Sequence, residues 1–92
     1  MSINVKIPSP LRGLTGGQAE VPVEAETVDE ALKQVSVEFS GFGEKVLDEG
    51  GQVRRFINIY VNEDNIKDRD DLGTAIQAGD TISILPSIAG GA

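Results

Sequence analysis

The chain contains neither cysteine nor histidine among its 92 residues. The missing cysteine excludes disulfides, thiolate metal sites, iron–sulfur clusters and a cysteine nucleophile. The missing histidine removes the commonest general base and the commonest zinc or copper ligand. An enzyme built from this sequence would have to work with serine, lysine, aspartate and glutamate. We therefore expect a protein that is not an enzyme and that binds no metal or cofactor.

Basic residues and long apolar runs are also scarce. The chain has 8 basic and 15 acidic residues and a net charge of −7, which repels nucleic acid and anionic membranes and favours a basic partner. No stretch approaches the roughly 18 apolar residues of a membrane span, and the N-terminus lacks the basic-then-apolar order of a signal peptide. We expect a cytoplasmic protein without nucleic acid or membrane partners.

Four segments alternate apolar and polar residues, the period of a half-buried strand. The residues predicted to share one face in each segment are Ile3, Val5 and Ile7; Ala19, Val21 and Val23; Arg55, Ile57, Ile59 and Val61; and Ile82 and Ile84. Pro22 would keep the second strand at a sheet edge, because proline cannot donate a ladder hydrogen bond.

One segment has the period of a helix. Thr27 and Glu30 have the spacing of a capping box, in which both side chains accept from backbone N–H groups at a helix start. An apolar stripe follows, formed by Val28, Ala31, Leu32, Val35 and Phe39. The pattern predicts a helix of about 13 residues lying on an apolar surface.

Two further segments are predicted to be mostly irregular. Residues 40–52 are rich in turn formers and have at most one helical turn, at 44–47. In the acidic segment 63–80, Asp71 is predicted to cap a short turn that holds Leu72, Ala75 and Ile76 against the core.

The predicted element order is strand, strand, helix, strand and a final strand after a long connection. A chain of this length forms one domain, and the economical packing is an α+β fold with a mixed four- to five-stranded sheet and one main helix on one face. The sequence alone leaves the strand order open. We expect the folded domain to span residues 1–85 and a flexible tail to span 86–92.

The tail "LPSIAGGA" would allow the C-terminal carboxylate to react in a partner's active site. Glycine has no Cβ, so Ile88, Ala89, Gly90 and Gly91 could enter a narrow channel in a partner's active site. Six residues reach roughly 20 Å at about 3.3–3.6 Å each. The alternative is an inert, frayed end.

Three features together resemble the β-grasp sulfur carriers, the ubiquitin-like family of the ThiS and MoaD type. They are "RFINIYVNEDNI", "GTAIQAGDTISILPSIAGG" and the terminal Gly90-Gly91, and they look most similar to the CysO-type carriers. The resemblance implies a β-grasp fold and a protein co-substrate. It implies that an E1-like adenylyltransferase uses ATP to activate the Gly91 carboxylate, which a sulfide source then converts to a thiocarboxylate.

The resemblance to CysO-type carriers also implies partners. A cysteine synthase would transfer the sulfur to an activated serine, and a JAMM-type zinc peptidase would release the product. Ala92 departs from the family's end, so we expect it to be a cap removed at the Gly91–Ala92 bond by such a peptidase, with a cloning scar as the alternative. A molybdopterin or thiamine sulfur carrier, a modifier that forms isopeptide conjugates and an interaction-only module remain open.

The third predicted strand has large side chains on both faces. Phe56 and Tyr60 alternate with its predicted core residues, and Leu85 is predicted to join them on the same face. Exposed aromatic and aliphatic side chains form a plausible partner-docking patch. The alternative is that they pack under the loop "PSPLRGLTGG".

Overall fold

The computed structural model describes residues 2–86. Within that range the chain forms five strands and two α-helices, with three 3₁₀ turns between them. The bounds are β1 Ser2–Lys6, β2 Glu20–Glu24, α1 Val28–Glu38, α2 Ser40–Val46, β3 Ile57–Val61, β4 Asp64–Asn65 and β5 Thr81–Pro86, with 3₁₀ turns at Ser9–Thr15, Ile66–Asp68 and Asp71–Gly73.

The strands form one mixed sheet in the order β2-β1-β5-β3-β4. β1 and β5 pair in parallel at its centre, and the other neighbours are antiparallel. β2 lies at one edge, where Pro22 removes a donor from the ladder, as predicted. The predicted α+β class and mixed sheet are confirmed, and the strand order is the part that the structure adds.

The core lies between the sheet and the two helices. Inward-facing strand residues alternate with outward-facing polar ones, so that β1 and β2 both show a strict exposed-buried alternation. The apolar core consists of Ile3, Val5, Ile7, Val21, Val23, Ala25, Val28, Ala31, Leu32, Val35, Phe42, Val46, Ile57, Ile59, Val61, Ile66, Ile76, Ile82 and Ile84. Phe39, at the end of the predicted helical stripe, packs against this core while partly exposed.

Helix α1 begins with the predicted capping box. The Thr27 hydroxyl accepts from the Glu30 N–H at 3.2 Å. The Glu30 carboxylate accepts from the Glu26 N–H at 2.9 Å, one residue before the cap. Two backbone donors that would otherwise lack partners are satisfied, which fixes the start of α1 at Val28.

For residues 40–52 the sequence predicted at most one helical turn, at 44–47, whereas the structure has a helix of 7 residues. α2 covers Ser40–Val46 despite its two glycines, because Phe42 and Val46 lie on one helical face and are fully buried. Gly43 sits where α2 approaches α1, and a Cβ there would come within 2.7 Å of the Ser36 Oγ. Tertiary packing therefore outweighs the weak helix propensity.

Three residues do not lie where the sequence patterns placed them. Ala19 is exposed because β2 begins at Glu20, and Ala75 is exposed although Leu72 and Ile76 do pack inward. Arg55 is exposed and precedes β3, so it does not continue the strand face of Ile57, Ile59 and Val61. The Ile57 N–H donates to the Arg54 carbonyl at 3.0 Å, so the chain turns here and strand alternation starts only at Ile57.

Asp71 does not cap the third 3₁₀ turn. It lies inside the turn with a left-handed φ of 54°, and the N-cap position is Asp70, whose side chain makes no capping bond. The buried Thr74 does the stabilising instead. Its hydroxyl accepts from the Asp70 N–H at 3.1 Å and donates to the Asp71 carbonyl at 2.7 Å.

Candidate functional site

The pairing of β5 with β3 places the last described residues of the chain beside the start of β3. Pro86 lies opposite Ile57, at the start of β3, and Leu85 lies opposite Asn58. The predicted tail residues Ile88, Ala89, Gly90 and Gly91, together with Ala92, lie outside the described residues. Their role and the domain boundary at 85/86 therefore remain predictions, whereas the pairing of Pro86 with Ile57 is a structural finding.

Two of the predicted docking residues, Phe56 and Leu85, lie near Pro86, and Tyr60 lies further along β3. Leu85 is 50% exposed and Phe56, immediately before β3, is 49% exposed. Tyr60 is half-buried and lies opposite Ser83 of β5. The loop "PSPLRGLTGG" does not bury this group, since its 3₁₀ turn packs against α2, where Leu14 lies beside Gly41. The structure thus exposes an aromatic and an aliphatic side chain beside the base of the tail.

A row of polar residues runs across the same face. The register aligns Tyr60 with Asn65 on one side and with Ser83 on the other, and then continues to Lys6 and Glu20. Lys6, Tyr60 and Ser83 alternate with buried strand residues, so they face away from the helices. The predicted docking residues within the strands, Tyr60 and Leu85, therefore stand on a sheet face that the helices leave open.

A hydrogen-bond network at the other end of β5 holds its register. Asn62, with a left-handed φ of 57°, donates from Nδ2 to the Asp80 carboxylate at 3.1 Å and accepts from the Thr81 N–H at 3.1 Å. The second Asp80 oxygen accepts from the Gln77 N–H at 2.8 Å. Sequence reasoning missed this network. The signal available was an asparagine directly after a strand, a residue type that tolerates this conformation.

A separate open pocket lies on the helix side of β3. It has a volume of about 490 Å³, and its walls include Ile57, Ile66, Lys67 and Asp71. Because no serine or threonine lines it, the pocket offers no hydroxyl nucleophile beside a base. It is not part of the face that carries the docking residues.

Residues 2–86 contain no group of three or more aspartate or glutamate side chains placed to hold a metal ion. No helix in that part of the chain is both long and apolar enough to span a membrane.

The match to a family model spans nearly the whole sequence. The model of the ThiS family covers residues 5–91. The chain belongs to the ThiS family. The matched region includes both the open sheet face and Gly90-Gly91, and it ends one residue before Ala92.

Individual relatives agree with this membership. The chain is 39% identical over 93 residues to the sulfur carrier protein CysO of Mycobacterium tuberculosis, covering 99% of this chain and 100% of that protein. It matches a chain in the crystal structure of the Amycolatopsis orientalis BexX/CysO complex with a TM-score of 0.90 at 36% identity, covering 97% of this chain and 99% of that one. The small archaeal modifier protein 1 of Methanosarcina acetivorans matches with a TM-score of 0.86 at 27% identity, covering 98% and 96%.

These likenesses confirm the predicted β-grasp fold and the predicted resemblance to CysO-type carriers. They also show that one family architecture serves proteins named as carriers and proteins named as modifiers. The distinction between the two roles must therefore be sought in the chemistry of the C-terminus and in the partners.

Proposed function

We propose that this chain is a sulfur carrier protein whose reactive group is the C-terminal carboxylate of Gly91. The observation that carries the proposal is the family match over residues 5–91, which includes the glycine pair. The likeness to CysO over the whole of both chains supports the same role. The carrier itself is not an enzyme; it is a substrate on which other proteins act.

The first step is activation. An E1-like adenylyltransferase joins the Gly91 carboxylate to the α-phosphorus of ATP, which forms an acyl-adenylate and releases pyrophosphate. A sulfide donor then attacks the acyl carbon and AMP leaves, so that the carboxylate becomes a thiocarboxylate. Glycine at the last two positions suits this reaction, because backbone without Cβ atoms can enter a narrow catalytic channel.

Ala92 must be removed before activation. A JAMM-type zinc peptidase would hydrolyse the Gly91–Ala92 peptide bond and expose the Gly91 carboxylate. The end of the family match at residue 91 supports this order of events.

The sulfur acceptor that we propose is an activated serine bound to a cysteine synthase. The thiocarboxylate sulfur forms a bond to the serine Cβ and the activating group leaves. A JAMM-type peptidase then hydrolyses the bond that joins this cysteine to the Gly91 carbonyl, which releases cysteine and regenerates the carrier. The likeness to CysO favours this acceptor over molybdopterin or thiamine precursors.

We further propose that Phe56, Tyr60 and Leu85 dock on the activating enzyme. Side chains of this kind are enriched at the centres of interfaces, where they release water from apolar surface. The position of Phe56 and Leu85 near Pro86, where the described chain ends, supports this role, since a partner that takes up the tail must also meet the sheet there.

A second function, protein modification, is favoured by the likeness to the archaeal modifier. The two functions share activation and differ in the nucleophile, which is sulfide for the carrier and a lysine amine for the modifier. Only the modifier would give higher-mass conjugates that survive reducing agent.

The test uses the chain ending at Gly91, purified E1-like enzyme from the source organism, ATP and sulfide. We expect ATP-dependent pyrophosphate release and a thiocarboxylate, both lost in Gly91→Ala, where a Cβ obstructs the channel. Lysine-linked conjugates in place of the thiocarboxylate would instead establish the modifier. Pyrophosphate release that is indifferent to Gly91→Ala would overturn the assignment of the reactive residue.

The acceptor is tested separately by offering the thiocarboxylate to purified cysteine synthase with an activated serine, and to molybdopterin precursor with its synthase. We expect sulfur transfer only in the first mixture. Transfer only in the second would move the chain to the molybdopterin pathway while leaving the carrier role in place.

A further inference from the structure

The 15 acidic residues are distributed unevenly in the fold. None of them occurs in residues 1–19, 50–62 or 81–92, so the three central strands β1, β5 and β3 carry no carboxylate. The edge strands do, with Glu20 and Glu24 on β2 and Asp64 on β4. In a chain with a net charge of −7, the middle of the open sheet face is therefore free of negative side chains.

Two arginines stand at the start of the acid-free strand β3. Arg54 and Arg55 are both exposed and immediately precede Phe56. The Arg54 Nε donates to the Glu44 carbonyl at 2.7 Å, and its backbone N–H donates to the Val46 carbonyl at 2.9 Å. Arg54 is thus anchored to the end of α2, whereas the Arg55 side chain is not engaged in a hydrogen bond within residues 2–86.

Neither arginine forms an ion pair with a carboxylate among residues 2–86; the ion pairs in that range are Lys33 with Asp29 and Arg69 with Asp64. Lys6, the cation within the three central strands, lies opposite Glu20 in the register, which offsets its charge. Arg54 shares a shallow surface pocket with Glu44 and Lys45, so within residues 2–86 the unpaired positive charge that directly precedes β3 rests mainly on Arg55.

We infer that the partner surface surrounding the channel for the tail is acidic and pairs with Arg55, with Arg54 beside it. This inference rests on the proposed function and specifies the chemistry of its partner. The tail reaches only roughly 20 Å beyond Pro86, so a partner that binds Gly91 brings its channel rim to the residues around Ile57.

The contacts at the rim of the partner's channel depend on the charges close to Arg55 rather than on the net charge of the chain. Screening limits electrostatic interactions to a Debye length of about 8–10 Å at physiological ionic strength, so distant carboxylates contribute little at contact. The net charge of −7 by itself favours a basic partner, and the structure reverses that expectation for this one surface. An arginine also suits the task, since its planar guanidinium binds a carboxylate through two hydrogen bonds.

The test is a charge series at Arg55 in the chain ending at Gly91, with pyrophosphate release by the E1-like enzyme as the readout. We expect the KM for the carrier to rise in the order Arg55→Lys, Arg55→Gln, Arg55→Glu, by about tenfold or more for the last, with kcat nearly unchanged. The matched control is Lys33→Glu on α1, which changes the net charge equally and should alter KM less than about twofold.

Equal effects of Arg55→Glu and Lys33→Glu would overturn the inference, because only net charge would then matter. A lower KM for Arg55→Glu would also overturn it, since the rim would then be basic. So would binding of a DNA duplex by the wild-type chain that is lost in Arg55→Glu, which would identify a nucleic acid site. Turnover of the wild-type chain is the separate sign that the proposed function stands, whatever the arginine series shows.

Discussion

The two faces of β3 use alternate residues of one short strand for different purposes. Ile57, Ile59 and Val61 point into the core and are at most 5% exposed. Asn58 and Tyr60 point to the open face and are half-buried. Changes on the first face should therefore act on the free energy of unfolding, and changes on the second should act on partner binding.

The largest expected effect is on the core face. Ile59→Ala should lower the free energy of unfolding by about 2–5 kcal/mol, because it removes buried methyl groups and leaves a cavity between the sheet and the helices. Chemical denaturation followed by circular dichroism measures it. Asn58→Ala, one residue away on the open face, is the control and should change stability by less than about 1 kcal/mol. Equal losses in the two variants would contradict the division of the strand.

The next effect should appear in binding alone. Tyr60→Glu should weaken binding to the E1-like enzyme by about tenfold or more, because it introduces a charge among the proposed docking residues, and should leave the folded spectrum intact. Titration calorimetry provides the affinity. Glu63→Gln, in the turn after β3, serves as a distant surface control. A folded Tyr60→Glu variant with unchanged affinity would remove Tyr60 from the docking surface.

The smallest effect on stability is expected at the start of α1, the helix that covers the core face of the sheet. Thr27→Ala should destabilise the protein by about 1 kcal/mol, because the Glu30 N–H loses its acceptor at the start of α1. The midpoint of thermal unfolding reports the change. Val37→Ala is a useful comparison, since Val37 is 85% exposed on the same helix and its truncation should be nearly neutral. A Thr27→Ala loss no larger than that of Val37→Ala would show that the capping box contributes little.

Local patterns predicted the parts of the fold that depend on local chemistry. Alternation identified β1, β2, β3 and β5, and the spacing of Thr27 and Glu30 identified the start of α1. The patterns did not predict the order of strands, because the parallel pairing of β1 with β5 joins segments from opposite ends of the chain. That pairing is decided by which apolar faces pack together once the core forms.

The errors have the same physical origin. α2 forms because Phe42 and Val46 are buried by the rest of the molecule, which residues 40–46 alone do not reveal. Arg55 was grouped with the strand face of Ile57 and Ile59 because the alternation was extended through a turn. The charge at the base of the tail likewise becomes visible only when the acid-free segments are seen side by side in the sheet.

Transfer of sulfur to Gly91 changes the mass of the chain, and intact mass spectrometry measures that change. The full chain is measured before and after incubation with ATP, sulfide and a soluble extract of the source cells, beside a chain that ends at Gly91. We predict the loss of one alanine from the full chain, followed by the exchange of one terminal oxygen for sulfur in both. Unchanged masses for both chains would contradict the carrier account and leave a β-grasp interaction module in its place.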